Sequence, residues 1–95
     1  MTPPPRARAQ RPAGKPPDTA SLREAAFHHL ARYSATEAGL RRVLERRVDR
    51  WARRAEAEGA ERDTLAQAVA TGRSAAADVA RAMVANGQVD DAAYA

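Results

Sequence analysis

All six prolines of this chain fall within its first 17 residues, and the rest of the 95-residue sequence contains none. Proline lacks a backbone N–H and clashes with the preceding turn, so the leading stretch cannot run as a helix. The proline-free remainder is dominated by Ala, Arg, Glu and Leu, the residues with the best helix propensities. The expected fold class is therefore all-α: a small three-helix module behind a disordered N-terminal tail. At this length there is room for one small domain. Aromatic residues make up only 4% of the chain, so alanine must do much of the apolar work in a thin core.

The tail, MTPPPRARAQRPAGKPP, carries Arg6, Arg8, Arg11 and Lys15 with no acid, a net of +4. The other 12 basic and 12 acidic side chains cancel, so the whole formal excess of +4 lies in this segment. With few bulky apolar groups to offset ordering entropy, residues 1–20 are expected to be disordered, with polyproline II character. Such a tail suits contact with nucleic acid through charge alone, or a solvated leader with no specific role. An amphipathic transit peptide is opposed by the prolines. There is no cysteine, hence no disulfide frame or thiolate metal site. Nor is there a membrane-length apolar run or a secretory signal. The expected location is the cytoplasm.

Three helices are expected within residues 21–89. Ser21-Leu22-Arg23-Glu24 reads as a capping box that opens a first helix running to about Tyr33. Leu22, Ala26, His29, Leu30 and Tyr33 share one face of it, with Phe27 at the edge. The second helix lies between Thr36, the expected N-cap, and Gly59, the expected stop. Its apolar stripe is Leu40, Val43, Leu44, Val48, Trp51 and Ala55. The third runs from about Arg62 to Asn86, with Leu65, Val69, Gly72, Ala76, Val79 and Met83 forming a seam. Gly72 costs about 1 kcal/mol relative to Ala inside a helix, which admits two segments hinged at Gly72-Arg73-Ser74. The unbroken spacing of the seam favours one helix.

Between Leu40 and Ala55 there are seven arginines against Glu45 and Asp49, a local net of +5. At 100° per residue, Arg42, Arg46, Arg50 and Arg53 form a stripe almost opposite the apolar one, flanked by Arg47 and Arg54. Guanidinium groups make bidentate contacts with phosphate and carboxylate. Arg42, Arg46, Arg50 and Arg53 are thus the expected contact residues for an anionic partner, with Arg41 and Arg47 in support. The alternative is a solvated face.

No catalytic, cofactor or metal site is expected. His28 and His29 are neighbours on a helix and point about 100° apart, so they cannot converge on one ion. The sequence holds no phosphate-cradling glycine loop and no nucleophile set beside a base. The closing GQVDDAAYA gives a helix stop at Gly87, then Asp90 as an N-cap with Val89 and Tyr94 placed as a hydrophobic staple. Residues 90–95 thus read as the first turn of a further, truncated helix.

The run LREAAFHHLARYSATEAGLRRVLERR and the closing NGQVDDAAYA resemble the N-terminal part of the RecX family of recombination regulators. The likeness rests on Thr36, Leu40-Arg41-Arg42 and Leu44, and on Gly87, Val89, Asp90, Asp91, Tyr94 and Ala95. It covers roughly residues 22–95. Gly39 and His29 depart from the pattern, standing where the family often has Glu and an aromatic. The stretch from Trp51 to Gly72 is longer than in compact members. The resemblance implies a right-handed tandem-repeat architecture of three-helix modules, cut here where the next begins. It also implies regulation, usually inhibition, of RecA recombinase by binding the RecA–DNA filament in DNA repair and recombination. The implied partners are the RecA filament and DNA phosphates, with no membrane or small-molecule substrate. A single module should span the filament groove poorly and lose avidity. Two other readings are a stand-alone basic module that binds nucleic acid nonspecifically and a helical protein–protein adapter.

Overall fold

The computed structural model describes residues 12–89, which form three helices: α1, Thr19–Leu30; α2, Glu37–Ala57; and α3, Arg62–Ala85. The described residues contain no strand, so the all-α expectation holds. The segments before Pro12 and from Asp90 onward, including Arg6, Arg8, Arg11 and the staple of Asp90 and Tyr94, lie outside the described residues.

The first helix starts earlier than its sequence suggests. Asp18, not Ser21, is the N-cap. The Ser21 N–H donates to Asp18 Oδ1 at 2.8 Å, and the Asp18 N–H donates to Ser21 Oγ at 3.0 Å. Ser21 is therefore the N3 partner in a capping box, and Glu24 has no part in it. The earlier cap wins because it adds most of a turn. The helix goes no further back because Pro17 pushes the residue before it out of the α region and offers no capping side chain. The tail expected to reach residue 20 consequently ends sooner, and residues 12–18 lead into α1 as a non-helical strap. At its other end α1 stops at Leu30, short of the expected Tyr33. The chain leaves the helix axis there, so Tyr33 is 61% exposed rather than on the core face, although its ring lies 5.1 Å from that of His29.

Thr36 caps α2 as expected, its Oγ1 accepting from the Gly39 N–H at 3.0 Å. The other end is a Schellman motif: Gly59 has φ +89°, its N–H donates to Glu56 O, and the Ala60 N–H donates to Ala55 O. Glycine takes this left-handed position without a Cβ penalty. The same pattern closes α3. Gly87 donates to Val84 O and Gln88 to Met83 O. The Val89 N–H then also reaches Met83 O, and the Val89 side chain is buried.

α3 is one continuous helix, with no hinge at Gly72. Glu61 caps it, its carboxylate accepting from the N–H groups of Asp63 and Thr64. α2 and α3 pack most extensively, and α1 lies mainly on α3. Leu22 and Ala26 from α1, Leu40, Leu44 and Val48 from α2, and Ala76, Val79, Ala80 and Met83 from α3 form the core. Full burial of each Leu, Val or Met contributes about 1.5–3 kcal/mol. The small residues Gly72, Ala76 and Ala80 let α3 approach its neighbours closely, which a core so poor in aromatics requires.

Candidate nucleic-acid interface

The core stripe of α2 determines where its charges go. With Leu40, Leu44, Val48 and Ala55 turned inward, 100° steps put Glu45, Asp49 and Arg41 on one flank and Arg47, Arg50 and Arg54 on the other, with Arg42, Arg46 and Arg53 on the crest between them. The acidic flank faces α3: Asp49 Oδ1 accepts from Arg73 Nη2 at 2.9 Å. Glu45 stands 3.9 Å from Arg41 on the same flank. Both mid-helix carboxylates thus have basic neighbours on the α3 side. Among the described residues, no ion pair involves Arg42, Arg46, Arg47, Arg50, Arg53 or Arg54, and all six are exposed.

The six arginines named from the helical wheel separate in space. Arg41 lies on the α3 flank beside Glu45. Arg42, Arg46 and Arg53 stand on the outer crest of α2. Arg47 and Arg50 line the seam between α2 and α1, where the surface is concave.

Two clefts follow that seam. The first, of about 490 Å³, is lined by Lys15, Asp18, Arg47, Arg50, Trp51 and Arg54, among others. The second, of about 400 Å³, includes Glu24, His28, His29, Val43, Arg47 and Arg50. Since Arg47 and Arg50 line both, the clefts are two halves of one groove.

The strap forms a wall of this groove. The Trp51 Nε1–H donates to Gly14 O at 3.1 Å, and the Ala13 N–H donates to Glu58 Oε2 at 2.9 Å. Gly14 has φ +70°, a left-handed turn that lets its carbonyl meet the indole. This brings Lys15 beside arginines more than thirty positions away in sequence. Asp18, the carboxylate of the first cleft, is engaged in capping α1. The Ser21 backbone N–H, helped by the Ser21 hydroxyl, holds its carboxyl below the usual aspartate range.

Wheel reasoning gave Lys15 no place among the contact residues and left Arg54 as a flanking residue. The only hint of Lys15 was its position in an acid-free basic tail. Among the described residues no group of three or more His, Asp or Glu side chains is arranged to hold a metal ion. Nor is any described helix long and apolar enough to cross a membrane.

No family model, curated protein or solved structure matches this chain.

Proposed function

We propose that this protein binds a polyanion through α2, and that the polyanion is nucleic acid, free or within a recombinase filament. One observation carries the reading. Six exposed arginines of one helix have no carboxylate partner among the described residues, while Glu45 and Asp49 lie toward the opposite flank. A solvated face made for solubility would interleave its charges. Segregating them concentrates positive potential along one side, which steers phosphates and yields salt-dependent affinity.

The resemblance to the RecX family supports the narrower form: a cytoplasmic regulator, usually an inhibitor, that acts on the RecA–DNA filament. The wider form is a basic helical module that binds DNA backbone without sequence preference. Measuring affinity for bare duplex DNA and for recombinase-coated DNA at several salt concentrations separates the two. Tighter binding to the coated DNA supports the filament regulator, and equal affinity supports the wider form. Charge reversal at Arg46 and Arg50 with no effect on either affinity would remove α2 from both.

A protein–protein adapter is the other reading, favoured by the exposed aromatics Phe27 and Tyr33 near the end of α1. It predicts that a Phe27→Ser, Tyr33→Ser variant loses a partner while DNA affinity stays unchanged.

A further inference from the structure

We infer that the groove between α1 and α2, walled by the strap, is a phosphodiester-binding channel, with Lys15, Arg47, Arg50 and Arg54 as its phosphate contacts. This rests on the reading of α2 as a nucleic-acid surface and specifies where on that surface the backbone lies. Three observations converge on it. The arginines of the groove are at positions i, i+3 and i+7, so they form a row about 10 Å long on one side of the helix. One strand of B-form DNA advances about 3.4 Å along the duplex axis per phosphate, so a row of this length is long enough to meet more than one phosphate of the same strand. The strap adds a fourth cation, Lys15, to the first cleft. The hydrogen bonds from Trp51 to Gly14 and from Ala13 to Glu58 hold the strap there.

The geometry also distinguishes the groove from the crest. Arg42, Arg46 and Arg53 line neither cleft and have no second element beside them there, so water competes around each guanidinium. In the groove a phosphate has cations on α2 and on the strap, and less solvent to screen them. His28 and His29 continue the channel along α1 and add ring N–H donors at its far end.

The test compares two triple variants of the full chain that remove equal charge. Arg47→Gln, Arg50→Gln, Arg54→Gln empties the groove, and Arg42→Gln, Arg46→Gln, Arg53→Gln strips the crest. Probes are a random-sequence DNA duplex and its separated single strand, each titrated at several salt concentrations. The groove variant should bind both probes at least about tenfold more weakly, the effect of removing one charge-assisted hydrogen bond or more. Its log–log salt slope on duplex should shrink by about 2–3, close to 0.9 for each phosphate that is no longer neutralised. Lys15→Gln should reduce the slope by about 1. The crest variant should lose less affinity, with a slope change below about 1.

A crest variant that loses as much as the groove variant, or more, overturns the channel and leaves α2 as the binding helix. Unchanged affinity in both variants overturns the channel and the reading beneath it. A loss confined to the single strand shows that the groove does not take up the backbone of a duplex, and overturns the assignment. NMR of the unsubstituted chain gives an independent check that needs no variant to fold. On titration with duplex, the Trp51 indole N–H and the Nε–H signals of Arg47, Arg50 and Arg54 should shift more than those of Arg42, Arg46 and Arg53. Shifts confined to the crest signals would refute the channel.

Discussion

Gly72 of α3 lies directly against Val48 of α2: a Cβ placed on Gly72 would stand 3.0 Å from Val48 Cγ1 and 3.1 Å from Cγ2. This contact explains why a glycine sits in the middle of a 24-residue helix. Two effects oppose each other there. Alanine would gain about 1 kcal/mol of helix propensity. It would also press into a fully buried valine, and valine in a helix is held almost entirely to one rotamer.

Because Val48 cannot rotate away, Gly72→Ala should be destabilising overall, by about 1–2 kcal/mol. The check is a double-mutant cycle by urea denaturation. Val48→Ala alone should destabilise by leaving a cavity. In the Val48→Ala background, Gly72→Ala should become neutral or stabilising, a coupling of about 1–3 kcal/mol. Additive effects would show that the two helices do not meet at this point.

Leu22 is the largest fully buried side chain that α1 contributes to the core. Leu22→Ala should cost about 2–5 kcal/mol, a large share of the roughly 5–15 kcal/mol that stabilises a typical domain. Hydrogen exchange should show the amides of α1 losing protection before those of α2 and α3, since α1 is the shortest helix.

Acid should loosen the N-termini of α1 and α3 through Asp18 and Glu61. Backbone N–H groups of Ser21, and of Asp63 with Thr64, hold their carboxyls below the ordinary values of 3.8 and 4.5. Each folded pKa is depressed, so the stabilisation is complete above those ordinary values and is lost as pH falls through the folded ones. Helix content should therefore decline on the acid side, below about pH 4.5. Asp18→Asn keeps a good N-cap without the charge. Combined with Glu61→Gln, it should flatten the acid limb measured by circular dichroism, and an unchanged limb would contradict these cap assignments.

Trp51, the single tryptophan of the chain, reports on the strap. Gly14 has φ +70°, so Gly14→Ala should strain the turn by about 1–2 kcal/mol and loosen the bond from Trp51 Nε1 to the residue 14 carbonyl. Tryptophan emission should shift to the red while helix content stays the same. Emission identical to that of the unsubstituted protein would mean that the strap does not cover the indole.

Much of this molecule was legible in its sequence, and for a local reason. Thr36 ahead of α2, the glycines at 59 and 87, and most of each apolar stripe are features a single helix carries by itself, while Tyr33 left its stripe because α1 ends at Leu30. The cap of α1 was misread because Asp18 and Ser21 are both competent caps, and only the length of helix that each permits decides between them. The seam through Gly72 indicated one helix, yet Val48, which makes the glycine necessary, belongs to another element. The basic stripe was visible on an isolated wheel, where its centre, opposite the core, looked like the place for contacts. A wheel has no neighbours, however. Packing α1 and the strap beside α2 turned one edge of that stripe into a groove, moving Arg47 and Arg54 from the margin of the stripe into the groove's lining. The same packing brought in Lys15 from a distant part of the chain, because concavity arises only between elements.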